Sequence, residues 1–470
     1  MSEIIAVDIG TSRIKTARFD ETGKMTALYS RRLNRTASPE TQNAKQWFSV
    51  TAGLLRKLTA EQAAPVEAVV LTGNMHALLG IDAHGVPVAP AVLWSDNSAR
   101  EEADELNRRV GAYLLHVIGN RAAPVFTLPK IMQMKKLHPR LYRKTDTFMQ
   151  SKDYVSFCLT GRRITDPTDA SGVLAMELCS KKWASGLLDD FELDREKFPE
   201  ILPSASVCGH VTAEAAALTG LRQGTPVVTG AGDLSSAALG SGVNARMMSL
   251  TLGTAGQLLA VGERDSGCPL AGKLFRFAHA DPRQELLLGS VPSGGFSFEW
   301  LAKIHNLSME QFFQLADSVP LSENLPLFYP YLLGKGAPSM DYTPCGSWQG
   351  LNADHTLNEL CRAAVFGTLC PLRVCADLLE SCAGPRPQLV LQALACREKA
   401  VRETAGALFP QTKFLPLNSE ASLLGAAVIG WTAIGAFSTI SAAAERLVCN
   451  REIDLPQTAC AQALFRRFLQ

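Results

Sequence analysis

A β-branched run, Ile4 to Val7, delivers Asp8-Ile9-Gly10-Thr11-Ser12, and a second apolar run, Ile14 to Phe19, leaves it. These residue types suit polyphosphate chemistry. Glycine lets backbone N–H groups approach anionic oxygens, the Thr11 and Ser12 hydroxyls add donors, and the Asp8 carboxylate can hold a magnesium ion that neutralises the phosphates. An Asp-x-Gly-Thr sequence after a strand is more often an ordinary turn, so its weight comes from recurrence. Met248 to Leu252 runs into Gly253-Thr254-Ala255-Gly256 and then Gln257 to Val261. Two strand–Gly-Thr–strand hairpins half a chain apart predict two related domains, each presenting one phosphate-gripping hairpin to a shared cleft.

Three further strand ends carry reactive side chains. Thr225 to Thr229 is followed by Gly230-Ala231-Gly232-Asp233 and a small-residue helix from Leu234, so Asp233 emerges where a strand meets a helix start. A carboxylate there serves as a general base or as a helix cap. Val66 to Leu71 leads to Thr72-Gly73-Asn74-Met75-His76, and Ala91 to Leu93 leads to Trp94-Ser95-Asp96-Asn97. His76 is a ligand contact or a satisfied structural histidine. Trp94 offers an apolar wall or core packing, and Asp96 a hydroxyl acceptor or a loop cap.

The elements that must position these groups alternate. Strands ending in glycine-rich polar turns, interleaved with helical spacing over Pro39–Leu58 and from Phe296, Leu357 and Arg397, predict an α/β architecture with ligands beyond the carboxyl ends of the strands. Pro371 is expected to end or kink its helix. Residues from about 100 to 200 are more helical and more charged. Ala421 to Ala444 is uncharged, but its small residues and the interruptions at Gly430 and Gly435 fit a packed helix, a turn and a second helix better than a membrane span. The repeated hairpin puts the domain boundary near residue 245, giving domains 1–244 and 245–470. With 46 basic against 45 acidic residues the net charge is +1, so no whole-protein field attracts nucleic acid or an anionic membrane. The start, Met1-Ser2-Glu3-Ile4, lacks signal-peptide features, and a cytoplasmic location is expected. None of the twelve cysteines forms a Cys-x-x-Cys pair; they read as buried reduced thiols, with Cys361, Cys370, Cys375 and Cys382 at near-helical spacing.

Assembled in this order, the chain resembles the FGGY carbohydrate kinases, most closely the xylulokinase and gluconokinase branches, over nearly its whole length. The likeness runs through Asp8-Ile9-Gly10-Thr11-Ser12, Gly73-Asn74-Met75-His76-Ala77, Leu93-Trp94-Ser95-Asp96-Asn97 and Ser151-Lys152-Asp153-Tyr154. It continues through Asp166-Pro167-Thr168-Asp169-Ala170-Ser171-Gly172, Gly230-Ala231-Gly232-Asp233, Leu252-Gly253-Thr254 and Glu420 to Ala427. The resemblance implies two actin-like (ribonuclease H-like) domains with a central interdomain cleft that close over a sugar and ATP with Mg²⁺. It implies Asp233 as the catalytic base, with Met75, His76, Trp94, Asp96 and Asp233 on the sugar. Asp8, Thr11, Ser12, Lys15, Gly253, Thr254 and Gly294 would lie on the nucleotide, with Asp8 on the metal and the Glu420–Ala427 helix on the nucleotide side. The expected partner is a small sugar or sugar acid such as xylulose or gluconate, and a homodimer is the prior for assembly.

The departures from the family pattern cluster on the nucleotide side. The glycine triplet expected after an apolar strand is Gln392-Ala393-Leu394 here, within Gln388 to Cys396. Gly-Glu-Arg-x-Pro becomes Gly334-Lys335-Gly336-Ala337-Pro338, a helix glutamate becomes Phe366, and Ser98 stands where an arginine is common. The leading reading is an ATP- and magnesium-dependent sugar kinase. The alternatives are a kinase-like sugar-binding or regulatory protein with weakened turnover, and a non-kinase ATPase of the wider actin-like superfamily.

Overall fold

The computed structural model describes residues 2–34, 36, 38–61, 64–263, 270–455 and 457–470, with only the backbone at Cys396. The chain forms two compact units. The first holds Met1–Gly242, Phe277–Glu285 and Asn418–Cys449, and the second holds Val243–Arg276, Leu286–Leu417 and Asn450–Gln470. The helix that follows Glu420 therefore counts with the first unit.

The first sheet is built from β1 (Glu3–Ile9), β2 (Arg13–Asp20), β3 (Met25–Arg32), β4 (Val66–Gly73), β5 (Val207–His210) and β6 (Pro226–Gly232), in the order β5-β6-β4-β1-β2-β3. β1 pairs antiparallel with β2 and parallel with β4, in a register that sets Asp8 opposite both Lys15 and Thr72. β1 and β4 are covered on both faces, which is why they read as near-continuous apolar runs. Ile5, Val7 and Ile9 pack with Trp47, Leu54 and Leu55 of the helix Ala44–Ala60, while Ile4 and Ala6 pack with Val428 and Ile429 of the helix Ala421–Ala433. Two close helix contacts explain the small residues there. A Cβ on Gly425 would lie 1.8 Å from Ser236 O and one on Gly240 1.9 Å from Ala421 O, so only glycine lets the helix Asp233–Gly240 seat on its neighbour.

The second sheet repeats the scheme with β7 (Met247–Leu252), β8 (Gly256–Glu263), β9 (Phe275–Ala278), β10 (Gln284–Val291), β11 (Gln388–Ala393), β12 (Thr412–Pro416) and β13 (Asn450–Ile453). Its order is β9-β10-β8-β7-β11-β12-β13. β7 is antiparallel to β8 and parallel to β11, β11 is parallel to β12, and the edge strand β13 is antiparallel. The first sheet has the same sequence of pairings from β1 outward through β4, β6 and β5. The repeated hairpin was thus the visible part of a repeated sheet.

Pro371 does not end its helix, which runs unbroken from Leu357 to Ala383. That helix is buried over most of its length, and packing outweighs the bond lost at one proline. Cys361, Cys370 and Cys375 are buried in the same core, with Cys382 at its margin, but the cysteines are not buried throughout, since Cys179, Cys345 and Cys449 are exposed. The uncharged segment forms the helices Ala421–Ala433 and Ile440–Leu447, and among the described residues no helix is long and apolar enough to cross a membrane.

Candidate active site

In the first unit Asp8 lies near the carboxyl end of β1 and Asp233 opens the helix after β6, two strands that run parallel with β4 between them. Gly232 caps that helix and Asp233 is its first residue, its Oδ1 accepting from Leu234 N at 2.8 Å. A helix start favours the carboxylate, but the surroundings win. Burial, with the Asp8 charge added, pushes the Asp233 carboxyl up to about 7. Burial also pushes Asp8 up to about 6, with Lys15 opposing and Glu420 assisting. Lys15 Nζ is paired with Glu420 Oε2 at 2.5 Å. Glu420, the charged residue that precedes an uncharged helix, thus joins Asp8 and Lys15.

The substrate candidates gather around His76, which ends a turn with φ of 65°. Its Nδ1 lies 2.8 Å from Gly172 O, and a carbonyl only accepts, so Nδ1 carries the proton. Burial holds the ring pKa down at about 4, leaving it neutral with Nε2 free of a proton and able to accept. Phe126 stands edge-on to the ring at 5.2 Å and Phe277 lies at 5.6 Å. Met75 is buried, and its side chain reaches Gly232 and Gly172. Trp94 is 47% exposed, which rules out core packing, and its indole donates to Thr11 Oγ1 at 3.2 Å. Asp96 caps its own loop by accepting from Ser98 N and Oγ. Thr11 is therefore joined to the Trp94 loop, while Ser12 is exposed at the hairpin tip.

Beneath these residues lies a charge cluster to which the sequence reading gave no role. Lys152 Nζ contacts Asp153 Oδ1 at 2.7 Å, Asp166 Oδ1 at 2.9 Å and Asp169 Oδ2 at 3.1 Å, all four side chains being buried. Asp166 Oδ2 accepts from Thr168 Oγ1, which accepts in turn from Gly232 N, each at 2.7 Å. The helix Pro167–Val173 therefore grips the residue before Asp233 at one end and, through Gly172 O, His76 at the other.

In the second unit Gly253 N closes the hairpin tip onto Ala255 O at 3.0 Å, and Thr254 is exposed there. Gly294 packs against this tip so closely that a Cβ would lie 2.2 Å from Gly256 N. Gly295 N donates to Gly253 O and Phe296 N to Thr254 O, so Gly253, Thr254 and Gly294 form one cradle. β11 ends at Ala393 with φ of 53°, a left-handed backbone suited to glycine, before the helix Leu394–Arg397. Phe366 is buried in the core of this unit.

A model of the N-terminal domain of the FGGY family of carbohydrate kinases matches residues 3–240, and one of its C-terminal domain matches 248–434. The chain belongs to the FGGY family of carbohydrate kinases. This FGGY chain is 27% identical over 458 residues to the xylulose kinase of Bacillus subtilis strain 168, covering 95% of this chain and 91% of that one. It is 30% identical over 393 residues to the xylulose kinase of Escherichia coli strain K12, covering 82% and 80%. A ligand-bound xylulose kinase from Lactobacillus acidophilus shares the fold, with a TM-score of 0.92 at 23% identity over 100% of this chain and 97% of that one. The two-domain α/β fold expected from the sequence is the fold of these kinases.

Proposed function

We propose that this FGGY kinase transfers the γ-phosphoryl group of ATP to a hydroxyl of a small ketose, with xylulose the first candidate and a sugar acid such as gluconate the second. The observation that carries this reading is Asp233, a desolvated carboxylate with a pKa near 7 at a strand end beside Asp8. Such a group is ionised in a useful fraction at neutral pH and basic enough to take a hydroxyl proton. In the transfer the sugar oxygen bonds to the γ-phosphorus as the bond to the ADP oxygen breaks. Asp233 receives the hydroxyl proton and later releases it to water. Neutral His76 accepts a sugar hydroxyl hydrogen bond at Nε2, Asp96 offers an acceptor, and Trp94, Phe126 and Phe277 supply apolar walls.

Asp8 fits a magnesium ion. It is a buried acid beside Glu420 and Asp233, with Lys15 as the nearby cation, and a hard cation relieves that crowding of carboxylates. Among the described residues no group of three or more His, Cys, Asp and Glu is placed to hold a metal ion by itself. The ion would supply charge neutralisation on the polyphosphate. Within the first unit Thr11, Ser12 and Lys15 would take phosphate oxygens, and within the second the Gly253, Thr254 and Gly294 cradle is likewise suited to phosphate.

A coupled ADP-release assay across ketoses, aldoses and sugar acids tests the reading. ADP release that is independent of every sugar, or absent throughout, would sink it. The retained Asp233 and the kinase relatives favour turnover over the regulatory alternative. In the same assay His76→Ala is expected to raise the sugar KM at least tenfold with the ATP KM within about threefold, a split of ~1.4 kcal/mol or more. Equal changes in both would return His76 to a structural role.

Without glycines at Gln392-Ala393-Leu394, adenine contact is expected to contribute little and the polyphosphate most of the affinity. ATP should then bind weakly, with a KM toward the ~1 mM end of the ordinary range, and GTP should follow within about tenfold. Calorimetric titration of both nucleotides with magnesium checks this. Micromolar ATP with strong rejection of GTP would locate the adenine pocket on another segment.

A further inference from the structure

Lys130 lies on the helix Thr127–Leu137 and is 2% exposed. Its Nζ donates to Leu93 O at 2.7 Å, Val125 O at 3.0 Å and His76 O at 3.2 Å. An ammonium has three donors, and here all three are used on main-chain carbonyls. Among the described residues it makes no ion pair, so the usual compensation for a buried charge is missing. The three carbonyls belong to segments far apart in sequence. Leu93 immediately precedes Trp94, Val125 immediately precedes Phe126, and His76 is itself the left-handed residue whose ring must face the sugar.

We propose that Lys130 is the positioning residue of the sugar site, its single ammonium holding the His76, Trp94–Asp96 and Phe126 segments in one arrangement. This rests on the sugar-kinase reading. His76 is fixed at two points, its ring on Gly172 O and its carbonyl on Lys130, which together hold a positive φ that is uncommon for a side-chain-bearing residue. Phe126 then stands T-shaped to the imidazole, and the Trp94–Asp96 loop is tied through the carbonyl of Leu93 that precedes it. Two titratable groups reach Lys130 with their charge. Asp96 favours the ammonium, and His76 is neutral above about pH 4. Burial outweighs Asp96 and brings Lys130 down to about 7, so one of its three donors is lost as pH rises through neutrality.

The test uses the full chain with xylulose and gluconate as probes, and wild type must first bind or phosphorylate one of them. A folded wild type that does neither overturns the sugar-kinase reading and this inference with it. Otherwise Lys130→Met is expected to raise the sugar KM at least tenfold while the ATP KM stays within about threefold. A folded variant whose sugar KM stays within threefold of wild type, or whose two KM values rise together, overturns the positioning role and leaves the kinase reading intact. Calorimetric sugar affinity from pH 6 to 8.5 in an Asp233→Asn background, which removes that group's own titration, supplies the second readout. Affinity should weaken several-fold across this range. A flat profile overturns the proposal, and this arm decides it should Lys130→Met not fold.

Discussion

Replacing Asp233 with Asn should lower kcat by a factor on the order of 10² or more while leaving sugar affinity within a few-fold, since the lost group acts on proton transfer. The amide oxygen keeps the acceptor that Leu234 N uses, so the helix start survives. Stability should move in the opposite direction. Asp233 is raised from 3.8 to about 7 in the folded protein, so between these values the folded state holds a proton that the unfolded state has lost. Its ionisation therefore costs stability progressively as pH rises through that window, and fully above about 7. Asparagine carries no such cost. The variant should be the more stable protein at pH 8, by an amount on the order of 2 kcal/mol after allowance for partial solvent access, and about equal to wild type near pH 4. Thermal melts at the two pH values and steady-state turnover check this together. A variant with wild-type turnover, or one that melts lower at pH 8 as the loss of a helix cap would produce, removes Asp233 from the role of base.

The parts of the site that the sequence displayed are those whose local backbone dictates residue type. A tight hairpin tip needs glycine, a strand-to-helix junction favours a short acid, and both recur in fixed order, so the hairpins at Gly10 and Gly253 and the position of Asp233 could be read directly. The charge state of Asp233 could not. A helix start argues for a low pKa, and the higher value comes from burial beside Asp8, a residue more than two hundred positions away. Lys130 was hidden for the same reason: in the run Thr127 to Leu137 nothing separates it from Lys135 and Lys136, which lie nearer solvent, because two of its three carbonyl partners, those of His76 and Leu93, are distant in sequence. Glu420 and Lys152 stand in plain view in the sequence, yet their pairing with Lys15 and with three aspartates is a property of packing. Ala393 shows the converse case. Its residue type argued against a glycine-like turn, and the chain adopts the left-handed backbone anyway.

The largest loss of stability is expected at Lys152. Burial alone would lower its pKa, but Asp153, Asp166 and Asp169 reverse this and hold it well above 10.5, so the ammonium is present at every ordinary pH. Lys152→Met leaves three buried carboxyls with no cation. Removing one partner of a buried ion pair costs about 3–5 kcal/mol, a large share of the roughly 5–15 kcal/mol that holds a domain folded. The deficit should depend on pH in a defined direction. Burial raises Asp153 and Asp169 above 3.8 even with Lys152 present. Without it, the folded variant takes up protons that the unfolded chain does not. Its stability therefore recovers as pH falls through the raised values toward about 4, and the deficit is greatest at neutral pH and above. Urea melts of wild type and variant at pH 5 and 7.5 test this, with a smaller difference at pH 5 the expected result. Equal differences would assign the loss to packing, and wild-type stability at pH 7.5 would mean that the carboxyls carry no net charge for Lys152 to balance. Adding Asp169→Asn should restore part of the stability at pH 7.5, since it removes one of the uncompensated charges. Because Asp166 reaches Gly232 through Thr168 and the same short helix holds His76 through Gly172, the folded fraction of Lys152→Met should also bind sugar more weakly. The charge cluster thereby ties the stability of the first unit to the alignment of its base and its sugar-facing imidazole.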